Sequence, residues 1–533
     1  MKLLNTLPVA IAFCAVSGIS CSSLTIPTQD LATTKIDGGL VSGIDDGHMV
    51  SWLGVPYAAP PIGDLRWLPP QPVKKWTRTF SATNLPNSCL QNADLGAFAN
   101  PGGSEDCLYL NVYVDRSALE AVRKGETKLP VFVWIHGGGL AVGQGADYNP
   151  RLLATDGKSI VVTLNYRLGI FGFFAQPAID RESHPSGNYG QMDQSFALRW
   201  IHDNIAAFGG DPARVTIAGE SSGGNSVLAQ VISPWSKALF QRAIVMSGAA
   251  MMLHYPGYGA PLPLDVAEQK GSAFAAAVGC TSGDIPQCLR ALPASEVLAR
   301  QTPYVINQTI IDGDFMPRHP YDAFKARAIN KVSIISGTNR DEGSFFAAIP
   351  ENETGQPMTP ATYLTKFASL FGKKSQSVEQ VYPIGAYDSP SEAFAAARTD
   401  YLFACTNLRM AELAANKTDL RIYEFADRTA PSYLKPTSFP LGAAHTFELS
   451  YLFPEFHGGR GQPATLNAMQ VHLAAAMVKY WADTPDANWQ QWPRFASGSD
   501  SILRLRLPAP QTISSKRFSE EHHCAFWNEL EGY

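Results

Sequence analysis

Residues 214–226 read "RVTIAGESSGGNS", an apolar run followed by two adjacent serines with glycines on either side. The apolar run predicts a buried strand, and the residues after it are expected to begin a helix. A Gly-x-Ser-x-Gly turn between a strand and a helix is typical of a nucleophile elbow, which exposes one serine hydroxyl at the edge of a sheet. The alternative is a plain glycine and serine turn without a catalytic role. The choice between the two depends on whether partner residues for a nucleophile are found elsewhere in the chain.

The glycines indicate which serine would be the nucleophile. In such an elbow the residues two before and two after the nucleophile pack against each other and tolerate little side chain. Gly219 and Gly223 meet this need around Ser221, whereas a nucleophile at Ser222 would put Glu220 at the crowded position. The sequence therefore predicts Ser221 as the nucleophile, and the backbone N–H of Ser222 can donate to an oxyanion.

A second glycine cluster follows another predicted strand, in "WIHGGGL" (134–140). Attack by a serine creates an oxyanion that needs fixed donors, and consecutive glycine N–H groups can supply them. We expect Gly138 and Gly139, together with Ser222, to form an oxyanion hole. A plain glycine turn is the alternative here.

An acid and a base are expected further along the chain, in the order serine, acid, histidine. "ISGTNRDEGSFF" (335–346) places Asp341 and Glu342 just after a predicted strand, at the sheet edge where loops gather. Both acids qualify by position, and an ordinary solvated acidic loop would look the same. Downstream, "LGAAHTFELSYLF" (441–453) sets His445 in a loop of small residues, which predicts it as the base.

Strand and helix patterns alternate along the chain. Six apolar runs read as buried strands, at 129–139, 159–167, 214–220, 242–248, 332–339 and 420–425, and helical periodicity is found at 191–205 and 466–483. This alternation predicts an α/β fold with a large, mostly parallel central sheet and helices on both faces. No repeat or linker divides the chain, so residues 23–533 are predicted to form one domain.

The first residues have the order of a secretory signal peptide. "MKLLNTLPVAIAFCAVSGIS" (1–20) combines a lysine, an apolar run and small residues, which predicts a leader over residues 1–22. A membrane anchor is the weaker interpretation because the run is too short to cross ~30 Å of hydrocarbon. The protein is therefore expected to be secreted or periplasmic, with a lipid attached at Cys21 as a further option. A net charge of −5 and the lack of a Lys/Arg-rich run give no reason to expect nucleic acid as a partner.

Six cysteines remain after the leader, and an even number in an exported chain indicates disulfides, although fifteen pairings are possible. Three N-x-[ST] matches are candidate glycan sites, at Asn307, Asn352 and Asn416.

Several long motifs together resemble the type-B carboxylesterase and lipase family, the α/β-hydrolase group that also contains the cholinesterases. The resemblance covers nearly the whole chain after the leader and is carried by "WLGVPYAAPPIGDLRW" (52–67), "SEDCLYLNVY" (104–113), "NIAAFGGDPARVTIAGESSGG" (204–224), "RDEGSFF" (340–346) and "CAFW" (524–527). It implies an α/β-hydrolase fold, hydrolysis of carboxylic esters, and no metal or organic cofactor.

The resemblance also implies roles for individual residues. Glu342 would be the acid, because the family's glutamate precedes Gly-Ser in this motif, and His445 matches the histidine two residues before "FEL". The implied disulfides and structural ion pairs are Cys89 with Cys107, Cys280 with Cys288, Cys405 with Cys524, Arg66 with Glu105, and Arg167 with Asp193.

The chain departs from the family's usual residues at two positions of the site. Ser222 stands where alanine is usual, but the oxyanion hole would use its backbone N–H, so function is expected to persist. Leu140 stands where an aromatic residue is frequent, and it is a candidate pocket residue. Phe345 and Phe346 are expected to wall the pocket, unless they are core residues, and Glu220 either acts on the pocket electrostatically or is a buried structural carboxylate.

The segment between Cys89 and Cys107 bears on the substrate. It holds no tryptophan for a cation–π cage around a choline headgroup and is too short for the long flap of interfacial lipases. Soluble short- to medium-chain esters, or specialised ones, are therefore the predicted substrates. The alternatives are a lipase acting on long-chain acylglycerols and a non-catalytic binding module, and the sequence indicates no oligomeric state.

Overall fold

The structure is a computed structural model that describes residues 30–182, 184, 187–248, 250–253, 260–304, 307–415, 418–484, 487 and 489–533. The predicted signal peptide at residues 1–22, the lipid site at Cys21 and the glycan site at Asn416 lie outside the described residues. They stay predictions.

The strands of the described chain form one large sheet and two small ones. They are β1 (Thr33–Ile36), β2 (Gly39–Ser42), β3 (Ile44–Asp45), β4 (Met49–Pro56), β5 (Phe80–Ser81), β6 (Tyr109–Asp115), β7 (Leu129–Ile135), β8 (Ile160–Leu164), β9 (Gly210–Glu220), β10 (Arg242–Met246), β11 (Leu262–Pro263), β12 (Ile310–Ile311), β13 (Ser333–Asn339), β14 (Leu420–Phe425), β15 (Asp500–Leu505) and β16 (Gln511–Ser514). The large sheet has eleven strands in the order β16-β15-β14-β13-β10-β9-β7-β8-β6-β4-β3. Its seven strands from β15 to β8 run parallel, and antiparallel strands complete both edges.

The six strands predicted from the sequence are β7, β8, β9, β10, β13 and β14, and all six lie in the parallel part of the sheet. Parallel strands are covered on both faces, so their sequences are almost continuously apolar and easy to recognise. The edge strands and the parallel strand β15 were not predicted, because their sequences mix polar and apolar residues. The sheet nevertheless confirms the predicted α/β class.

Helices cover both faces of this sheet. They are α1 (Arg116–Arg123), α2 (Arg151–Thr155), α3 (Gly169–Gly172), α4 (Pro177–Asp180), α5 (Tyr189–Asn204), α6 (Ser222–Ile232), α7 (Leu264–Ala277), α8 (Ile285–Arg290), α9 (Ala294–Arg300), α10 (Pro320–Lys325), α11 (Gly343–Thr354), α12 (Pro360–Phe371), α13 (Ser375–Val381), α14 (Pro390–Thr399), α15 (Cys405–Ala414), α16 (Ala468–Trp481), α17 (Ser515–Glu521) and α18 (Cys524–Glu531). Alternate residues of β7 enter two apolar clusters: Val131 and Val133 pack with α5 and α6, whereas Phe132 and Trp134 pack with α16. Since neighbouring side chains of a strand point to opposite faces, the two clusters lie on the two sides of the sheet.

Six cysteines form three disulfides, Cys89–Cys107, Cys280–Cys288 and Cys405–Cys524, the pairs that the family resemblance implies. Among the described helices, none combines the length and the apolar character needed to cross a bilayer.

The two ion pairs implied by the resemblance are both buried. Arg66 donates to both carboxylate oxygens of Glu105 at 2.6 and 2.7 Å. Arg167 donates to Asp193 at 2.8 and 2.7 Å and also to the carbonyl oxygen of Leu68. These pairs are therefore not ordinary surface pairs, and removing one partner would leave a charge unpaired in the interior.

A charged cluster surrounds His522 near the end of the chain. Its Nδ1 lies 2.6 Å from Asp400 and its Nε2 lies 3.0 Å from Glu424, which also pairs with Arg504. Burial alone would lower the pKa of His522, but the charges and hydrogen bonds of Asp400 and Glu424 raise it to about 10. The imidazole is thus a buried cation that joins α17 to the sheet.

Replacing Arg167 with methionine should destabilise the fold by ~3–5 kcal/mol, because Asp193 would stay buried without its partner. The matched control is Arg214→Met: the Arg214 side chain is 46% exposed in its pair with Asp211, so its loss should cost at most ~1 kcal/mol. Urea unfolding measures both. Equal losses in the two variants would contradict the structural role of the buried pair.

The His522 cluster should make stability depend on pH. A histidine whose folded pKa is raised stabilises the fold fully below its unfolded pKa of ~6.5 and loses this contribution as the pH rises towards about 10. Between pH 8 and 10 the free energy of unfolding of the wild type should fall by up to ~1.4 kcal/mol per pH unit more steeply than that of His522→Gln. Urea unfolding across this range tests it, and parallel pH profiles would refute it.

Candidate active site

The turn between β9 and α6 has the geometry of an elbow. The backbone of Ser221 has φ 59° and ψ −126°, a conformation that residues other than glycine rarely adopt. Ser222 is the first residue of the helix. A Cβ atom on Gly219 would lie 2.5 Å from the carbonyl oxygen of Gly223, and one on Gly223 would meet the carbonyl oxygen of Ile135. The strained turn therefore lies at the first serine, and the two glycines are in the close contact that the sequence predicted.

The second serine has a different environment. The hydroxyl of Ser222 is buried and accepts a hydrogen bond from the backbone N–H of Leu140 at 3.1 Å. It thereby ties the helix to the glycine loop that follows β7. This contact gives a structural use for the hydroxyl at a position where alanine is usual in the family.

The three predicted oxyanion donors line one cleft with Ser221. Gly138 has φ 105° and Gly139 has φ 64°, and a Cβ on Gly138 would collide with the carbonyl oxygen of Val142. Within the described ranges, the N–H groups of Gly138, Gly139 and Ser222 donate to no protein acceptor. They are available to a ligand in the cleft.

The structure distinguishes the two acidic candidates. Glu342 is fully buried, and its Oε2 lies 2.5 Å from Nδ1 of His445. Its Oε1 accepts from the hydroxyl of Thr338 at 2.8 Å and from the N–H of Asn339 at 2.7 Å. Asp341 instead pairs with the exposed Arg428, so of these two acids only Glu342 contacts the imidazole.

The other nitrogen of the His445 ring points into the cleft. Nε2 lies 3.2 Å from Oε1 of Glu220, and both residues line the cleft together with Ser221. In the described residues there is no hydrogen bond between Nε2 and the Ser221 hydroxyl, a contact that in many hydrolases tightens only when substrate is bound. Burial, and then the charges of Glu448 and Glu342, hold the pKa of Glu220 well above its usual range.

The predicted pocket residues all line the cleft. They are Leu140, Glu220, Phe345 and Phe346. The rings of Phe345 and Phe346 lie 5.7 and 5.0 Å from the His445 ring, measured between centroids. Each of the two phenylalanines lines the pocket and also packs in the interior. Phe345 is buried in an apolar cluster, and Phe346 packs against that cluster.

Sequence reasoning missed about half of the cleft. The additional lining residues are Leu95, Phe98, Asn225, Ser247, Asn307, Thr309, Phe403 and Thr446. Asn225 could have been found, because it lies one helical turn after Ser221. Most of the others come from loops, and Phe403 comes from the helical segment Asp400–Ala404, so no local pattern reveals their approach to the cleft. Asn307 is one of the predicted glycan sites, and its Oδ1 is buried in the cleft wall. Glycosylation of this residue stays a prediction. No group of His, Cys, Asp and Glu side chains in the described residues is arranged to hold a metal ion.

The fold and this cleft define an α/β-hydrolase with a serine elbow. A model of the carboxylesterase family matches residues 27–527, and the chain belongs to this family. It is 35% identical over 524 residues to cocaine esterase of Oryctolagus cuniculus, an alignment that covers 92% of this chain and 94% of that protein. It is 33% identical to acylcarnitine hydrolase of Mus musculus (86% and 82% covered) and 33% identical to pyrethroid hydrolase Ces2e of Rattus norvegicus (88% and 83% covered). The protein is thus a carboxylic ester hydrolase.

Replacing Gly223 with alanine should disrupt the elbow, because the added methyl group would meet the carbonyl oxygens of Ile135 and His136. Ester hydrolysis should be lost or reduced by orders of magnitude, and the melting temperature should fall. Gly385→Ala is the matched control, since a Cβ at Gly385 meets nothing within 4 Å. A Gly223→Ala enzyme with wild-type activity would contradict this account of the turn.

Proposed function

We propose that the protein hydrolyses carboxylic esters by two-step acyl transfer, with Ser221 as nucleophile, His445 as base and Glu342 as the acid that orients it. The observation that carries the proposal is the 2.5 Å contact between Glu342 and Nδ1 of His445 at the cleft where Ser221 occupies the strained elbow. The predicted chain order of serine, acid and histidine agrees with it.

The mechanism follows from these positions. His445 takes the proton of the Ser221 hydroxyl as the oxygen attacks the ester carbonyl carbon, and the C–O bond to the alcohol then breaks as His445 returns the proton to the leaving oxygen. Water attacks the acyl-enzyme in the second step by the same route in reverse. Glu342 stabilises the imidazolium that forms in each step, because it accepts a hydrogen bond from Nδ1.

The oxyanion of each step would accept hydrogen bonds from Gly138, Gly139 and Ser222. Their N–H groups are already oriented by the strained glycine loop and the first turn of α6, so little reorganisation is needed when charge develops. The hydrogen bond from Leu140 to the Ser222 hydroxyl keeps loop and helix together.

The proposed substrates are soluble short- to medium-chain esters. The cleft combines aromatic and aliphatic side chains with a few polar groups around Ser221, a lining that is typical of small-molecule sites. Leu95 and Phe98, from the disulfide-closed segment between Cys89 and Cys107, form part of its wall. The names of the relatives, which mention acylcarnitine, cocaine and pyrethroids, also favour small esters over fat droplets. A lipase is the alternative, and it would be indicated by activity that rises sharply above the solubility limit of a long-chain ester.

We also propose that the protein is exported. Three disulfides form in oxidising compartments rather than in a reducing cytosol. The predicted signal peptide agrees with this proposal.

Ser221→Ala should lower kcat for p-nitrophenyl butyrate by a factor on the order of 10⁶. Ser222→Ala should stay active, with a loss below about tenfold, because it removes one neutral hydrogen bond and keeps the backbone donor. A serine-directed organophosphate should inactivate the wild type and the Ser222 variant alike. The reverse order of the two variants would overturn the choice of nucleophile, and full activity of Ser221→Ala would overturn the proposed function.

A further inference from the structure

Uncharged polar side chains line the cleft together with its aromatic residues. Asn225, Asn307 and Thr309 are three of them and are called the polar wall below. The aromatic residues of the cleft are Phe98, Phe345, Phe346 and Phe403. A site for a plain alkyl ester would not need three hydrogen-bonding side chains in its wall.

The two carboxamides of the polar wall are unused within the described protein. The side chain of Asn225 has no hydrogen bond to any described residue, and Oδ1 of Asn307 is buried without a partner. A carboxamide offers two N–H donors and one acceptor oxygen. Since buried polar groups are normally paired, the unpaired Oδ1 of Asn307 points to a hydrogen-bonding partner that arrives with the substrate. The half-buried amide of Asn225 is available to the same partner.

The polar wall lies on the α5 and α6 side of the cleft. Asn225 is four residues after Ser221 and donates its N–H to the Ser221 carbonyl oxygen at 2.9 Å. Thr309 accepts a hydrogen bond from Gln191 of α5 at 2.7 Å. Helix α5 in turn contacts α6 through Gln194, whose amide donates to the Ser226 hydroxyl at 3.1 Å.

The position of His445 indicates which part of the ester lies against the polar wall. His445 must return its proton to the leaving oxygen, so the alcohol departs along the side where His445 and Thr446 lie. The helix that supplies the Ser222 N–H and carries Asn225 then borders the other substituent of the carbonyl carbon, which is the acyl chain.

We infer that the polar wall selects esters whose acyl chain carries a neutral hydrogen-bonding group, a hydroxyl or an amide, a few bonds from the ester carbonyl. The inference rests on the proposed function and adds the substrate class. The group is neutral because the three wall residues carry no charge, and the ionisable side chains that line the cleft are Glu220 and His445. An amide-bearing acyl chain would satisfy a donor and an acceptor of the wall together.

The test compares p-nitrophenyl butyrate with p-nitrophenyl 3-hydroxybutyrate, which differ by one hydroxyl on the acyl chain. For the wild type we expect kcat/KM to be about tenfold higher for the hydroxy ester, the size of one net hydrogen bond. Asn225→Leu has nearly the same volume and should abolish this preference, so that the two esters have equal kcat/KM values. Asn307→Leu should reduce the preference in the same direction and serves if the first variant does not fold.

The control variant is Asn352→Leu, which removes a carboxamide on α11 that donates to the Lys435 carbonyl oxygen outside the cleft. It should keep the wild-type preference. Equal kcat/KM values for the two esters in the wild type, or an equal loss on both esters in Asn225→Leu, would overturn the inference.

A second pair of esters tests the assignment to the acyl side. Butyl acetate and 3-hydroxybutyl acetate, followed by acid release in a pH-stat, place the hydroxyl on the alcohol. A tenfold preference here instead would show that the wall contacts the alcohol and would overturn the acyl assignment. The proposed function is tested separately: it fails if Ser221→Ala stays active, whereas an active wild type without any preference contradicts only the polar wall inference.

Discussion

The backbone conformation of Ser221 is the constraint on which the site depends. It costs on the order of 1–3 kcal/mol in a residue with a side chain, and the surrounding sheet maintains it. The N–H of Ser221 donates to the Met246 carbonyl oxygen of β10 at 2.9 Å, and Gly219 lies against Gly223 where any larger residue would collide. Because β9 lies between β7 and β10 in the middle of the sheet, the serine hydroxyl is held relative to the glycine loop after β7.

Hydrogen-bond donors differ among three buried carboxyl groups of the site. Glu342 accepts hydrogen bonds from Thr338, Asn339 and His445. Glu448 receives a side-chain donor from Asn339, yet burial and the charge of Glu342 raise its pKa to about 8. Glu220 accepts no hydrogen bond from the described residues, although its Oε1 lies 3.2 Å from Nε2 of His445, and burial together with the charges of Glu448 and Glu342 holds its pKa well above the usual range. Of the three, Glu342 is the carboxylate that contacts Nδ1 of His445, so it is the one placed to stabilise an imidazolium.

Much of this arrangement could be predicted from the sequence, for local reasons. Parallel strands are recognisable because both of their faces are apolar, and the choice of Ser221 over Ser222 follows from a steric requirement at fixed spacing. The cleft wall could not be predicted in the same way. Leu95, Asn307 and Phe403 come from segments far apart in the chain, and only the folded sheet brings them together.

The edge strands were missed because pairing at an edge leaves a mixed, uninformative pattern. Asp341 and Glu342 were equal candidates by position, and the family resemblance implied Glu342. In the structure Asp341 pairs with a surface arginine and Glu342 contacts the imidazole.

The disulfide between Cys405 and Cys524 spans 119 residues and ties α18 to α15. Its second half is synthesised long after the first, and the residues in between include His445 and strands β14 to β16. A chain emerging from the ribosome, or crossing a membrane in sequence order, therefore carries Cys405 as a free thiol while the sheet still lacks an edge. The Cys405–Cys524 disulfide cannot form until the segment that carries Cys524 has been synthesised. Until then the thiol of Cys405 can mispair with Cys280 or Cys288. We therefore expect efficient production of the enzyme to depend on a host that isomerises disulfides.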